Sequence, residues 1–296
     1  MDAQVLPAER FEQFRPRLRA VAYRMLGSLS EADDAVQETW LRVSRADASG
    51  IENVGGWLTT VAARVCLNML RSRERRREEP LDLHLPDPVV GPEHGGDPEQ
   101  EALLADSVGL ALMVVLDSLP PAERLAFVLH DMFAVPFDVI APLIDRSPAA
   151  TRQLASRARR RVRNQAPTPD PDPSRQREVV DAYLSAARHG DFDALVGVLH
   201  PDVVLRADGG KARARFSVVL RGSQEVAEQA VAAQRLAPFA RPALINGAAG
   251  VVAVAGGRVV SIMGFTVVGG KIVAIDVLVD PERLADLDIA GLGVGD

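Results

Sequence analysis

VPFDVIAPLIDRSPAATRQLASRARRRVR, residues 135–163, reads as a helix, a four-residue turn and a second helix. Ser147 stands where its hydroxyl can accept from the free amides that open the second helix. Pro148 suits the first position because its missing N–H would have no partner there. At ~100° per residue, Thr151, Leu154, Ala155, Ala158 and Val162 share a buried side, leaving Arg152, Gln153, Ser156, Arg159, Arg160 and Arg163 outward. Arg and Gln can read base edges in a major groove while further arginines grip phosphates, so this is the pattern of a DNA-reading helix. A terminal helix with a merely Arg-rich surface is the plainer alternative. Pro142 falls inside the first helix, removes a donor and predicts a kink there.

Upstream, residues from about 8 to 78 carry apolar positions at helical spacing, with a Gly-containing break around Gly50 to Gly56. In the helix read as beginning at Trp57, Leu58, Val61, Ala62, Val65 and Met69 form an apolar arc. Arg64, Asn68, Arg71 and Arg75 align elsewhere as a stripe that takes in Trp57. Guanidinium groups one turn apart can follow a phosphate backbone, and an exposed indole can stack on an unpaired base; a solvated charged face with Trp57 closing the core is the alternative. The segment EADDAVQETWLRV, residues 31–43, puts Val36, Trp40 and Val43 on one face and Asp34, Gln37 and Glu38 on another. Such an acidic, amide-bearing face can dock a basic helix of another protein; a plain solvated face is the alternative.

Two Pro-rich stretches divide the chain: EEPLDLHLPDPVVGPEHGGDPEQ at 78–100, which is also acidic, and APTPDPDPS at 166–174. They predict helical domains over 8–78 and 105–165, a linker over 79–104, a shorter one over 166–174, and a third domain over 175–290. The third changes pattern. Helices near Arg175 to His189 and Phe192 to Leu199 precede β-branched runs, VVAVAGGRVVSIMGFTVVGGKIVAIDVLV at 251–279, whose Gly-Gly pairs predict antiparallel hairpins.

With 296 residues the chain is long enough for two or three cores. Its net charge of −6 argues against a nucleic-acid partner only on average. Seven acids and no Lys or Arg lie between Asp82 and Asp106, whereas six Arg and no acid lie between Ala149 and Arg163. The single cysteine, Cys66, excludes an intrachain disulfide and a zinc cluster of thiolate type. No apolar run has the length of a membrane span, and the N-terminus has no signal-peptide core, which points to the cytoplasm.

DDAVQETWLRV, then GGWLTTVAARVCLNMLRSRERRRE, then LPPAERLAFVLHDMFAVPFDVIAPLIDRSPAATRQLASRARRRV occur in one order. Over roughly residues 8 to 165 the chain resembles an extracytoplasmic-function (ECF) sigma factor of the sigma-70 family. The resemblance implies two all-α DNA-binding domains, sigma region 2 and the region 4 helix-turn-helix, and partnership with core RNA polymerase and promoter DNA. Asp34, Gln37 and Glu38 would meet the β′ clamp helices; Trp57, Arg64, Asn68, Arg71 and Arg75 would hold the −10 element. Arg152, Gln153, Ser156, Arg159, Arg160 and Arg163 would engage the −35 element. The linker would run through the polymerase cleft and the RNA-exit path, against β as well.

Residues from about 175 to 290 resemble the SnoaL-like, ketosteroid-isomerase-like α+β cone carried at the C-terminus of one sigma-factor subgroup. There the cone modulates the sigma factor, and three short motifs have counterparts here. They are Leu85, Pro86, Asp87 and Pro88; Asp208, Gly209, Gly210 and Lys211; and Asp280, Pro281 and Leu284 within DPERL. His84 departs from the tryptophan usual in the subgroup. Taken by residue type alone, the last two motifs are a Gly turn and a Pro-started terminal turn.

Other readings are a helix-turn-helix repressor, a regulator whose cone takes a small-molecule ligand, and a cone that retains enzyme activity. Catalysis would draw on His189, His200, Asp202, Asp208 or Tyr183, but no spacing marks these as a site. The assignment is therefore no catalytic residue, no cofactor, no metal and no membrane partner.

Overall fold

The computed structural model describes residues 6–75, 84–92 and 109–287, which fall into two compact units. The first lies within 1–79 and 113–166, the second within 80–112 and 167–296. Parts of the expected domains and linker, 76–83, 93–108 and 288–290, lie outside the described residues.

The first unit is helical: α1 (Ala8–Glu12), α2 (Arg15–Leu26), α3 (Leu29–Val43), α4 (Val54–Arg75), α5 (Leu110–Asp117, in this unit from Met113), α6 (Pro121–Phe127), a π-helical turn (Val128–Met132), α7 (Phe137–Ile140) and α8 (Pro148–Gln165). Leu18, Val36, Val43, Leu58 and Ala62 bury completely around Phe11, and each large side chain so buried contributes about 1.5–3 kcal/mol. A buried arginine ties α6 to α2. Arg124 donates to the Met25 carbonyl at 2.8 Å and to the Asp117 carbonyl, and pairs with the Asp117 carboxylate at 3.0 Å. Burial pulls its pKa down against the pull of Asp117, which favours the charged form.

The α4 helix begins at Val54, three residues before the sequence-based start at Trp57. Asn53 is the reason: its side-chain oxygen accepts from the Gly56 amide at 2.9 Å, so the chain turns helical as soon as a cap is present. The first turn then holds Gly55, where a Cβ would lie 2.8 Å from the Phe14 ring. The apolar arc also shifts. Val61 and Met69 are only half-buried, whereas Thr59, Ala63, Cys66, Leu67 and Leu70 are buried with Leu58, Ala62 and Val65. Burial pushes the Cys66 thiol up to about 12, leaving it a small core hydrophobe.

In the second unit a seven-stranded sheet is backed by helices α9 (Pro173–His189), α10 (Phe192–Val198) and α11 (Ser223–Ala232) and closed by α12 (Pro281–Ala285). Its strands are β1 (Val90–Gly91), β2 (Leu199–Asp208), β3 (Val218–Arg221), β4 (Ala240–Ile245), β5 (Ala248–Ala255), β6 (Arg258–Val268) and β7 (Lys271–Leu278), in the order β1-β4-β5-β6-β7-β2-β3. Gly256–Gly257 and Gly269–Gly270 all have positive φ, the backbone that two-residue hairpin turns need, and they join β5 to β6 and β6 to β7. Register shifts at Ala253/Val254 and Thr266/Val267 bulge the long strands and curve the sheet. Val203, Leu205, Val251, Phe265, Ile275 and Val277 face Val180, Tyr183 and Leu184 of α9 in one apolar core. This is the cone of helices on a curved sheet expected for the SnoaL-like fold, and one pairing departs from the antiparallel hairpins read from the sequence. β2 and β7 pair in parallel, because β2 enters the sheet beside the last strand rather than in a hairpin with it.

Neither linker behaves as a free tether where it is described. Val90 and Gly91 pair with Ile245 and Leu244 as an edge strand, supported by reciprocal bonds between Val89 and Asn246 at 3.0 and 2.8 Å. In the second linker, Asp170 takes the Gly269 and Gly270 amides at 2.8 and 2.9 Å, and its own amide donates to the Val267 carbonyl. Asp172 then caps α9.

Candidate functional site

The helix-turn-helix forms as its local chemistry dictates. Ser147 Oγ accepts from the Ala150 amide at 3.2 Å, Pro148 opens α8, and Pro142 converts the end of the preceding helix to a 3-10 turn over Ala141–Leu143. Thr151, Ala155 and Ala158 are buried, and Leu154 and Val162 are half-buried. Arg152, Gln153, Ser156, Arg160 and Arg163 are exposed. Arg159 departs from the outward set: it is half-buried, with Nε 2.6 Å from Asp131 Oδ1 on the π-helical turn. A carboxylate opposite draws the side chain in and neutralises it. Arg157 and Arg161, absent from the sequence-based set, both reach the buried Glu123 of α6 at 3.2 and 3.3 Å. Arg152 lies over the Phe137 ring, 5.5 Å from its centroid.

On α4, Arg64, Asn68, Arg71 and Arg75 form an exposed stripe. Trp57, at the start of the stripe, is half-buried, with part of its indole packed against the cluster of Phe11, Leu58 and Ala62. On α3, Asp34 and Gln37 are exposed, while Glu38 is half-buried and paired with Arg42 at 2.8 Å.

In the second unit the three motifs from distant parts of the chain meet at one side chain, Arg283. Its Nε lies 2.8 Å and one Nη 2.5 Å from Asp87 Oδ1, the same Nη donates to the Leu85 carbonyl at 2.6 Å, and the other Nη reaches Asp208 Oδ2 at 2.8 Å. Asp208, with 2% of its side chain exposed, also accepts the Leu85 amide at 2.9 Å and the Gly210 amide at 2.9 Å; His84 Nδ1 stands 3.8 Å away. Leu85, Pro86, Asp87 and Pro88 are all buried. Two carboxylates out of water would each cost several kcal/mol unpaired, so their shared arginine and the amide donors make the arrangement tenable. Gly210 is required for closeness: its φ is +60°, and a Cβ there would meet Asp280 Oδ2 at 2.0 Å. Asp280 in turn caps α12 through the Glu282 amide at 3.0 Å, Pro281 opens that helix, and Leu284 buries beneath it. Lys211 is exposed at the rim. Arg283 was missed from the sequence, although a lone arginine inside DPERL, facing two acidic motifs and otherwise unexplained, was the available signal.

The polar side chains considered for catalysis do not converge. Tyr183 is buried in the core with its pKa raised by burial, Asp208 belongs to the Arg283 clasp, His189 bonds its own helix, and His200 accepts from the Asp202 amide at the surface. No group of three His, Cys, Asp or Glu among the described residues could hold a metal ion, and no described helix is long and apolar enough to cross a membrane.

A helix-turn-helix with an arginine face, packed in one unit with a second arginine-striped helix, is the arrangement of a DNA-binding transcription protein. Comparison with known proteins agrees: the family models for Sigma-70 region 2 and Sigma-70, region 4 match residues 10–76 and 109–162. The ECF RNA polymerase sigma factor SigJ of Mycobacterium tuberculosis is 40% identical over 287 residues, 92% of this chain and 91% of that protein. The probable ECF RNA polymerase sigma factor SigI of the same species is 35% identical over 95% of both chains. The crystal structure of M. tuberculosis SigJ superposes with a TM-score of 0.77 at 36% identity, covering 98% of this chain and 100% of that one. The chain belongs to the ECF sigma factors, the alternative sigma subunits of RNA polymerase.

Proposed function

We propose that this sigma factor binds core RNA polymerase through the Asp34, Gln37 and Glu38 face of α3 and reads −35 duplex with Arg152, Gln153, Ser156 and Arg160 of α8. Arg163 grips phosphate beside them. The Arg64, Asn68, Arg71 and Arg75 stripe of α4, with Trp57 at its start, holds the opened −10 strand. It acts in the cytoplasm, where the polymerase is, and performs no chemistry of its own. The cone governs this activity by holding the segment that joins the two DNA-binding regions.

One observation carries the regulatory part: Arg283 closes on Leu85 and Asp87 while bound to Asp208, so the linker is clasped by the appended domain. A linker fixed at 85–91 to the cone has fewer paths available than a free one, and releasing it changes how the DNA-binding regions reach the promoter. The experiment is in vitro transcription with core polymerase on promoters selected from a random library, comparing the full chain, Arg283→Ala and a truncation after Ala166. Arg283→Ala and the truncation are expected to move output in the same direction. Unchanged output from a folded Arg283→Ala protein would remove the clasp from the account; no initiation by any of the three would remove the promoter assignments.

A further inference from the structure

The recognition helix carries more positive charge than it presents. At ~100° per residue, Arg152, Gln153, Ser156, Arg160 and Arg163 fall in one arc, with Arg157 and Arg161 beyond one edge and Arg159 at the other. The arc's arginines have no carboxylate within ion-pair distance among the described residues. Both flanks do. Glu123, only 9% exposed at its side chain, straddles Arg157 and Arg161, which stand one turn apart; Asp131 holds Arg159 from the opposite side. Arg157 and Arg161 keep 54% and 47% of their side chains in water, so each could swing to a phosphate if its acid were neutral.

We propose that Glu123 and Asp131 are specificity-determining residues: by neutralising the flanking arginines they suppress sequence-independent phosphate attraction and leave selection to the base-facing arc. The physical basis is that phosphate contacts supply most of non-specific affinity and carry no sequence information, whereas contacts to base edges do. This rests on the reading that α8 faces the −35 duplex.

The test uses the full chain bound to core polymerase, with a library-selected promoter duplex and a random duplex of equal length titrated across a salt series. Each phosphate engaged steepens the dependence of log affinity on log salt by about 0.9. Glu123→Gln is therefore expected to steepen the random-duplex slope by up to about 1.8, to tighten random-duplex binding several-fold, and to lower the promoter-to-random ratio. Asp131→Asn, which frees one arginine, should steepen it by about 0.9, and it serves as the independent arm if Glu123→Gln fails to fold. Adding Arg157→Gln and Arg161→Gln to Glu123→Gln should restore the original slope. Equal weakening on both duplexes with an unchanged slope would make the acids a packing staple and overturn the proposal, as would a slope that stays steep in the triple variant. A wild-type complex whose promoter preference ignores base changes in the −35 segment would instead remove the underlying reading of α8.

Discussion

Arg283 and Arg160 carry the same guanidinium group into opposite circumstances. Arg283 keeps 18% of its side chain exposed and commits its donors to Asp87, Asp208 and the Leu85 carbonyl; Arg160 stands in water on α8 with no described acid beside it. A charge intended for a partner outside the fold must remain solvated, and so it costs the free protein little. A charge withdrawn from water must find its partners within the fold, and from then on it holds them there. The second unit commits Arg283 to a segment of its own chain, whereas in the first unit Arg160 is left solvated, as the proposed contact with DNA requires.

The clasp is where this contrast is most open to being broken. Arg283→Ala leaves Asp87 and Asp208 without their cation, and breaking a buried pair in this way costs about 3–5 kcal/mol if nothing rearranges. The chain has a cheaper response, which is to release the linker into water. Hydrogen exchange should therefore show lost protection at the Leu85 and Val89 amides, which donate to Asp208 and Asn246 in the clasped form. Persistent protection at both would mean that the edge pairing of β1 holds the linker without the arginine.

The matching change in the first unit should move binding rather than stability. Arg152→Ala and Arg160→Ala are each expected to weaken −35 duplex binding by about 1–3 kcal/mol if the contact is to a base, while the thermal midpoint stays within about a degree or two. Equal losses on every duplex would reassign them to phosphate. A large loss of thermal stability from Arg152→Ala would show that its place over the Phe137 ring is structural, erasing the contrast with Arg283.

What could be read from sequence follows the same division. The Ser147–Pro148 start of α8, the Gly-Gly turns of the sheet and the outward arc of Arg152, Arg160 and Arg163 each depend on residues within a few positions, where spacing and turn chemistry decide the outcome. The half-burial of Arg159 escaped the projection because its partner, Asp131, lies 28 residues away, and a helical projection cannot see a neighbouring helix. Arg283 escaped notice for the same reason on a larger scale, its acids being 196 and 75 residues distant. The early start of α4 is different in kind: the Asn53 cap was local and readable, but two glycines in succession suggested a loop.

Asp170 offers the finest test, because it fixes a short segment as Arg283 fixes a long one, but from a half-buried position, without the full burial of Asp87 and Asp208. The amides of Gly270 and then Gly269 hold its carboxyl below the ordinary value, since both bonds favour the ionised form. A depressed folded value means that the stabilisation is present above the unfolded pKa of about 3.9 and is lost as pH falls through the folded one. The Gly269 and Gly270 amide resonances should accordingly titrate together with a midpoint below that of a free aspartate, and Asp170→Asn should abolish the titration. Protection of the two amides, taken relative to their intrinsic exchange rate at each pH, should fall as the carboxylate is protonated. A midpoint at or above the ordinary value would show that these bonds do not persist in solution, and that the second unit depends on burial as well as pairing to hold a connecting segment.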